Sequence, residues 1–128
     1  MKNAATNETV DFEKLEVYQL AHKFNLTVRS EISSQMSDLD LKNQLNRAAS
    51  SVPLNIAEGC GRMGFRDRRH FFVISRGSLY ESLAILNILN DEGVIHLEVF
   101  SDVRDTGIRI SKILYVLIRK LEKGQSKE

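Results

Sequence analysis

This 128-residue chain is poor in cysteine, proline and tryptophan: it has one cysteine, one proline and no tryptophan. A single cysteine excludes an intrachain disulfide and is typical of reducing compartments, so we expect a cytoplasmic location. A single proline favours long helices with few interruptions. The clustering of Gly59, Gly61 and Gly64 predicts one well-defined turn between two of these helices.

Excess charge of one sign and long apolar runs are also missing. The 18 lysines and arginines nearly balance the 17 aspartates and glutamates, which leaves a formal net charge of +1. Any attraction for nucleic acid must therefore come from local clustering of charge. No run of about 18 apolar residues predicts a membrane span. The polar start, Met1 to Asp11, lacks the apolar run of a signal peptide, and we expect no membrane partner.

Hydrophobic residues make up 42% of the chain, and their spacing of three and four residues predicts four amphipathic helices. Short connections favour antiparallel neighbours, hence an all-α, up-down-up-down four-helix bundle. We expect the bundle to span residues 12–123, with flexible tails at 1–11 and 124–128. Ser37 followed by Asp40 resembles a capping box for the second helix. The predicted helices are Phe12 to Met36, Asp38 to Cys60, Phe65 to Asp91 and Leu97 to Lys123.

The third and fourth helices carry more apolar residues than the core of one bundle needs. The extra residues are Ile74, Ile85, Ile88, Ile108 and Tyr115. One interpretation is scattered surface hydrophobicity, which is common. The other is a subunit interface. We favour the interface and expect the protein to form a homo-oligomer.

A polar line follows the second helix beside its apolar stripe. Steps of three or four residues place on one face Gln44, Arg47, Ser51, Asn55 and Glu58. Pro53 lies within the same segment, where it leaves the carbonyl of Ala49 without its helical donor. The segment either shapes the helix to wrap a neighbour or exposes backbone to a ligand. We favour the first interpretation because helix kinks usually serve packing.

Arg47 and Glu81 are a candidate pair between the second and third helices. If these helices are antiparallel about the glycine turn, position 47 faces a position near 80. Glu81 lies among isoleucines in the sequence pattern, so we expect it to be partly desolvated and to need a cation. We predict a buried or half-buried ion pair, within one subunit or across the interface. The alternative is a catalytic acid, but one carboxylate without a positioned second group is a poor acid–base site.

The sequence offers no set of residues for metal or covalent chemistry. Di-iron bundles use Glu-x-x-His motifs, and the nearest match, Asp67 with His70, occurs once. His22, His96 and Cys60 are isolated, and there is no glycine-rich phosphate loop with a following lysine. We therefore predict a protein that is not an enzyme and that uses no cofactor and no metal.

Arginines are concentrated just after the second helix. The run consists of Arg62, Arg66, Arg68, Arg69 and Arg76, with Asp67 as the one acidic residue among them. Cations are unfavourable at a helix N-terminus, so their presence there indicates an anionic partner, most simply a phosphate backbone. A protein partner and plain solvation are the alternatives. For a binding surface, we expect Arg66 and Arg69 to point outward.

Three segments resemble a known family. They are the opening segment from Asp11 to Ala21, the central segment from Arg47 to Gly59 (RAASSVPLNIAEG) and a third-helix segment from Ser75 to Glu81 (SRGSLYE). From about Asp11 to Lys123 the chain resembles the four-helix bundle proteins encoded in intervening sequences of bacterial 23S rRNA genes. Members of this family are similar to the accessory protein of diversity-generating retroelements, a pentameric basic barrel.

This resemblance implies an antiparallel bundle that assembles into a ring-like homopentamer. It also implies RNA or DNA as a partner, and a reverse transcriptase or another protein as a further one. Together with the arginine run, it leads us to expect a non-enzymatic, oligomeric bundle that binds nucleic acid. The alternative is an accessory scaffold that binds a protein partner without nucleic acid. Most members of the family have no established activity.

Overall fold

The computed structural model describes residues 8–124, and these residues form four α-helices and no strand. α3 has the predicted bounds, and α2 and α4 lie within one residue of theirs, so the all-α class is confirmed. Residues 1–7 and 125–128, which contain most of the two predicted tails, lie outside the described residues. The helices are α1, Glu16–Thr27; α2, Leu39–Cys60; α3, Phe65–Asp91; and α4, Leu97–Glu122.

The first predicted helix is divided into four shorter segments. Asp11–Lys14 forms a 3-10 turn, after which Leu15 has extended backbone with φ −75° and ψ 130°. α1 then continues into one π-helical turn, Val28–Ile32, and a 3-10 turn, Ser33–Gln35. The first and last residues of the π turn are both buried. The chain therefore changes its winding locally while its apolar residues stay in the core.

α2 begins at a cap that differs from the predicted one. The side chain of Asp38 accepts a hydrogen bond from the backbone N–H of Leu41 (3.1 Å), so Asp38 is the N-cap residue. The prediction of a capping box formed by Ser37 and Asp40 is therefore wrong by one residue. An aspartate suits the cap because its charge also complements the positive end of the helix dipole.

Pro53 is buried, and α2 remains α-helical on both sides of it. Neighbouring carbonyl oxygens receive side-chain donors. The buried hydroxyl of Ser75 on α3 donates to the carbonyl of Val52 (2.8 Å), and the amide of Asn55 donates to the carbonyl of Ser51 (2.9 Å). The proline therefore lies at a close contact between α2 and α3, which supports the packing interpretation of this segment.

The core lies between the four helices and receives side chains from each of them. Glycines allow two close approaches inside it. A Cβ at Gly59 would lie 2.8 Å from Cε1 of Phe72, and a Cβ at Gly107 would lie 2.9 Å from Cδ2 of Leu83. These glycines therefore set how closely α3 packs on α2 and on α4. The fully buried side chains include Phe24, Leu45, Ile56, Phe72, Leu79 and Leu114.

One of the five residues predicted to lie at a subunit interface belongs to this core instead. Ile85 is only 3% exposed, because α3 packs against both α2 and α4 and buries a wider arc than one neighbour would require. Three of the others are exposed: Ile74 (38%), Ile88 (46%) and Tyr115 (52%). Ile108 is half-buried. The apolar excess on α3 is therefore smaller than the sequence pattern indicates, but it remains.

Within the described residues, α3 is long and apolar enough, by length and composition only, to cross a membrane. This is weak evidence for a span, because a core helix passes the same test. α3 buries seven of its residues within the bundle.

Candidate nucleic-acid interface

The polar line on α2 lies along the contact with α3. Its central residues meet a small hydroxyl side chain there: Ser51 Oγ lies 2.8 Å from Ser78 Oγ, and the amide of Asn55 donates to Ser51 Oγ (2.8 Å). These three side chains are half-buried and satisfy one another. The middle of the line therefore serves helix packing, whereas Arg47 and Glu58 towards its ends are exposed.

The structure does not form the predicted pair of Arg47 and Glu81 within the chain. Glu81 is exposed and accepts a hydrogen bond from Nε2 of Gln44 (3.0 Å). The register of the two helices places Gln44 opposite Glu81, and Arg47 lies about one helical turn farther along α2. The expected desolvation of Glu81 is also absent. The isoleucines predicted to surround it do not form one patch, because Ile85 is buried in the core whereas Ile74 and Ile88 are exposed. A pair between subunits stays a prediction.

Two of the five predicted arginines make contacts at the turn after α2: Arg62 lies in the turn, and Arg68 reaches back to it from the start of α3. Arg68 donates through Nη2 to the carbonyl oxygens of Cys60 (3.0 Å) and Arg62 (3.3 Å). It thereby supplies donors to backbone acceptors that a helix end leaves without helical partners. Arg62 pairs with Glu58 (2.7 Å), and its guanidinium lies 4.6 Å from the centroid of the Phe71 ring. Arg62 is exposed, whereas Arg68 is half-buried and held against the protein.

Arg69 links the start of α3 to the end of α4. Its Nη2 lies 2.6 Å from Oε2 of Glu122, whose other oxygen lies 3.7 Å from Nε of Arg119. Arg69 is half-buried, so the expectation that it points outward is wrong: the carboxylate on α4 draws it back. This ion pair also brings the last turn of α4, with Arg119 and Lys120, next to the arginine run. That proximity is not visible in the linear sequence.

These contacts create a basic end of the bundle, which we define as residues 58–70 and 116–124. These two segments contain seven lysines and arginines and three acidic residues. The N-terminal segment with Asp11 and Glu13 packs beside them, since Asp11 lines one cavity with Cys60 and Arg68. The side chain of Arg66 is exposed and makes no hydrogen bond or ion pair with any residue from 8 to 124. Lys120 and Lys123 are exposed as well. The basic end therefore offers free cations from two helices that are distant in sequence.

The other end of the bundle is acidic. We define this acidic end as residues 31–40 and 91–105, which contain eight acidic residues and one arginine. The two segments meet in space, since Glu31 lines the same cavity as Asp102 and Asp105. The 22 residues of α2 separate the two ends by roughly 33 Å at the usual rise of a helix. The near-zero net charge therefore conceals an uneven distribution of charge between these segments, although Lys23 lines the acidic cavity and Asp11 lies beside Arg68.

Arg76 lies away from the basic end, between α3 and α4. Its Nε donates to the carbonyl of Ser111 (3.2 Å), and its Nη2 donates to the hydroxyl of Tyr80 (2.9 Å). The guanidinium lies 4.8 Å from the ring centroid of Tyr80 and 5.6 Å from that of Tyr115. A cation held against two aromatic faces is a favourable arrangement. Arg76 therefore belongs to an aromatic surface, not to the arginine run from which it was predicted.

This surface is a groove of about 440 Å³, which we call the α3–α4 groove. Val73, Arg76, Gly77 and Tyr80 line it from α3, and Tyr115 and Arg119 are among the residues that line it from α4. The sequence contains one feature of this groove, Tyr80 within the motif SRGSLYE, but its exposure is visible only in the structure. From the sequence, Tyr115 was interpreted as a subunit-interface residue, because the sequence does not show that α4 packs beside α3 within one chain.

Metal or nucleophile chemistry finds little support in the geometry. No group of three or more histidine, cysteine, aspartate or glutamate side chains in residues 8–124 is arranged to hold a metal ion. His22 stacks on Tyr18 with 5.9 Å between ring centroids, and His70 meets the ring of Phe71 edge-on. Cys60 is a half-buried thiol. The two histidines thus take part in aromatic packing.

Comparison with known proteins agrees with this geometry. A solved structure, described as a protein of unknown function from the S23 ribosomal protein family of Bacteroides thetaiotaomicron, shares the fold. Its TM-score is 0.73 at 19% identity, over 80% of this chain and 97% of that one. None of the curated proteins matches the chain. The model of the 23S rRNA-intervening sequence protein family matches residues 13–116, which is most of the bundle, so the chain belongs to this family.

Proposed function

We propose that this protein is a non-enzymatic, oligomeric four-helix bundle that binds the phosphate backbone of RNA or DNA through its basic end. The supporting observation is the ion pair of Arg69 with Glu122, which gathers the arginine run and the last turn of α4 at one end of the molecule. Within the two segments, seven cations against three acidic residues support a local positive potential. The acidic N-terminal segment beside Arg68 reduces it, so the contacts are assigned to the cations that point into solvent. The acidic end repels the same polyanion, so the two ends together orient the bundle on it.

The phosphate contacts are assigned to the exposed cations of the basic end. Arg66, Lys120 and Lys123 are exposed, whereas Arg68 and Arg69 are engaged with a backbone carbonyl and a carboxylate. Contacts of this kind position a protein on nucleic acid and carry little sequence information. We therefore propose that the protein binds nucleic acid without a strong sequence preference.

We infer an antiparallel, up-down-up-down order of the helices, on which the definition of the two ends relies. Along α2 and α3, the contact pairs run in opposite directions: Gln44–Glu81, Ser51–Ser78 and Cys60–Arg68. Between α3 and α4 they do the same: Arg69–Glu122 and Arg76–Ser111. Reversed pairs of this kind are what antiparallel neighbours produce.

Self-assembly is part of the proposal, with a ring-like homopentamer favoured by the family resemblance. The exposed Ile74 and Ile88 on α3 support an interface there. A ring repeats the basic end around one axis, and a flexible polyanion then contacts several copies at once. Such multivalency raises the apparent affinity without any new type of contact.

The same exposed isoleucines favour a second candidate function. An apolar strip on α3 also suits an accessory scaffold that binds a protein, such as a reverse transcriptase, and no nucleic acid. A cytoplasmic location stays a prediction for both candidates.

The salt dependence of RNA and DNA binding separates the two candidates. We compare the wild type with Arg66→Glu and Arg104→Glu, which make the same change of charge at exposed positions of the basic end and the acidic end. We expect Arg66→Glu to weaken binding and to reduce the log–log salt slope by about one unit, whereas Arg104→Glu keeps the slope. If the wild type binds neither RNA nor DNA at about 50 mM salt, where such contacts are strong, the scaffold function replaces the proposal.

A further inference from the structure

The α3–α4 groove presents two aromatic rings that are both exposed and held in place. Tyr80 and Tyr115 each retain 52% exposure, although Arg76 lies against a face of each ring. Arg76 is itself fixed by its hydrogen bonds to Ser111 and to the hydroxyl of Tyr80. Rings that are already ordered lose little freedom when a flat ligand stacks on them, so the groove is preorganised for such a ligand.

Gly77 lines the groove and places no side chain in it. A Cβ at this position would meet nothing within 4 Å, so packing within the chain does not require a glycine. A glycine in the middle of a helix is destabilising relative to alanine. Packing within the described residues therefore gives no reason for a glycine at this exposed position. Without a side chain at position 77, a ligand can approach the backbone of α3 in a groove whose volume, about 440 Å³, lies in the range of ligand sites.

The groove is continuous with the basic end. Arg119 and Glu122 line the groove and also belong to the last turn of α4. The carboxylate of Glu122 lies against the guanidinium groups of both Arg69 and Arg119, so the charge at this junction is positive. A strand whose phosphates lie on the basic end therefore passes the mouth of the groove. Its bases can enter only if they are unpaired, because a duplex keeps its bases stacked inside.

We propose that the α3–α4 groove binds unpaired bases of single-stranded nucleic acid by stacking on Tyr80 and Tyr115, while the basic end contacts the phosphates. Aromatic platforms beside a positively charged track are the usual means of binding single strands, and they accept every base. This inference rests on the proposed function and adds to it a preference for single strands over duplexes. The junction's positive charge favours a polyanion over the competing occupant, a second copy of the chain.

The test compares four ligands by fluorescence anisotropy: oligouridylate and oligothymidylate of about 12 nucleotides, an abasic strand of the same length, and a duplex. The duplex should bind more weakly than the two single strands that carry bases, because its bases cannot reach the groove. The full-length wild type should bind the two base-containing strands about 5-fold to 100-fold more tightly than the abasic strand. Tyrosine fluorescence provides a second readout. The chain has three tyrosines and no tryptophan, and two of those tyrosines line the groove, so base stacking should quench the emission.

Variants separate the stacking contact from the phosphate contact. Tyr115→Leu should remove the preference for base-containing strands, and Tyr115→Phe should keep it, because the ring is retained. Gly77→Leu should remove the preference independently, by filling the groove from an open position. Arg66→Glu should weaken binding of base-containing and abasic strands equally.

Three outcomes would overturn the inference. Equal affinity of the wild type for abasic and base-containing strands removes base stacking and leaves backbone binding, and thus the proposed function, in place. Failure to bind any strand removes both. If Tyr115→Leu or Gly77→Leu instead changes the molar mass of the assembly in light scattering and leaves base preference intact, a second copy of the chain occupies the groove.

Discussion

Two glycines of α2 and α3 have opposite surroundings, which predicts opposite effects of an added methyl group. A Cβ at Gly59 would lie 2.8 Å from Cε1 of Phe72 and 3.2 Å from the carbonyl oxygen of Arg68. The phenyl ring is buried and close-packed, so it cannot move away without disturbing its neighbours. We expect Gly59→Ala to lower the free energy of unfolding by about 1–3 kcal/mol, as measured by urea denaturation.

Gly77→Ala is the matched control, because it makes the same substitution in open space. It should leave the free energy of unfolding unchanged or raise it by up to about 1 kcal/mol, since alanine is the better helix former. An equal loss of stability in both variants would mean that the contact with Phe72 does not set the distance between α2 and α3.

At the scale of the helix, the first turn of α2 tests the correction to the predicted cap. Asp38 accepts from the N–H of Leu41, whereas Ser37 is exposed and lies one residue too early. We expect Asp38→Ala to lower the free energy of unfolding by about 1 kcal/mol and Ser37→Ala to change it little. Thermal denaturation followed by circular dichroism measures both. A larger effect from Ser37→Ala would restore the capping box that the sequence indicates.

The helices were predictable because apolar spacing, glycine clustering and the single proline act locally. α3 has the predicted bounds. The division of the first helix was not predictable, because the π turn at Val28–Ile32 depends on which residues the other helices bury. The same limit applies to register: a shift of one turn decides whether Gln44 or Arg47 meets Glu81, and periodicity within one helix does not contain that information.

The candidate site shows the same limit more strongly. The sequence predicts an arginine cluster, but the structure directs Arg68 to a carbonyl of α2, Arg69 to Glu122 and Arg76 to two tyrosines. Arg66 remains free within the described residues. The cations that replace the engaged arginines come from the last turn of α4, whose approach only the packing of the helices reveals.

At the scale of the whole molecule, the charge asymmetry limits how copies can associate. Basic ends placed side by side in a ring repel one another, and so do acidic ends. An assembly with rotational symmetry therefore needs apolar burial along the sides of the bundle to outweigh this repulsion. The exposed apolar residues along α3 suit that purpose. Added salt should strengthen such an assembly by screening the repulsion.

We expect an assembly held by Ile74 and Ile88. Both are exposed in the single chain, so burying them against another subunit removes apolar area from water. Light scattering on the wild type at micromolar concentration should give a multiple of 14.6 kDa.

Ile74→Glu with Ile88→Glu should shift the molar mass towards that of one chain while the helix content stays constant. The control is Leu54→Glu, which makes a similar change at an exposed leucine of α2 and should leave the mass unchanged. A wild type with the mass of one chain contradicts the predicted assembly. A wild-type multimer that the double variant does not dissociate places the interface on another face of the bundle.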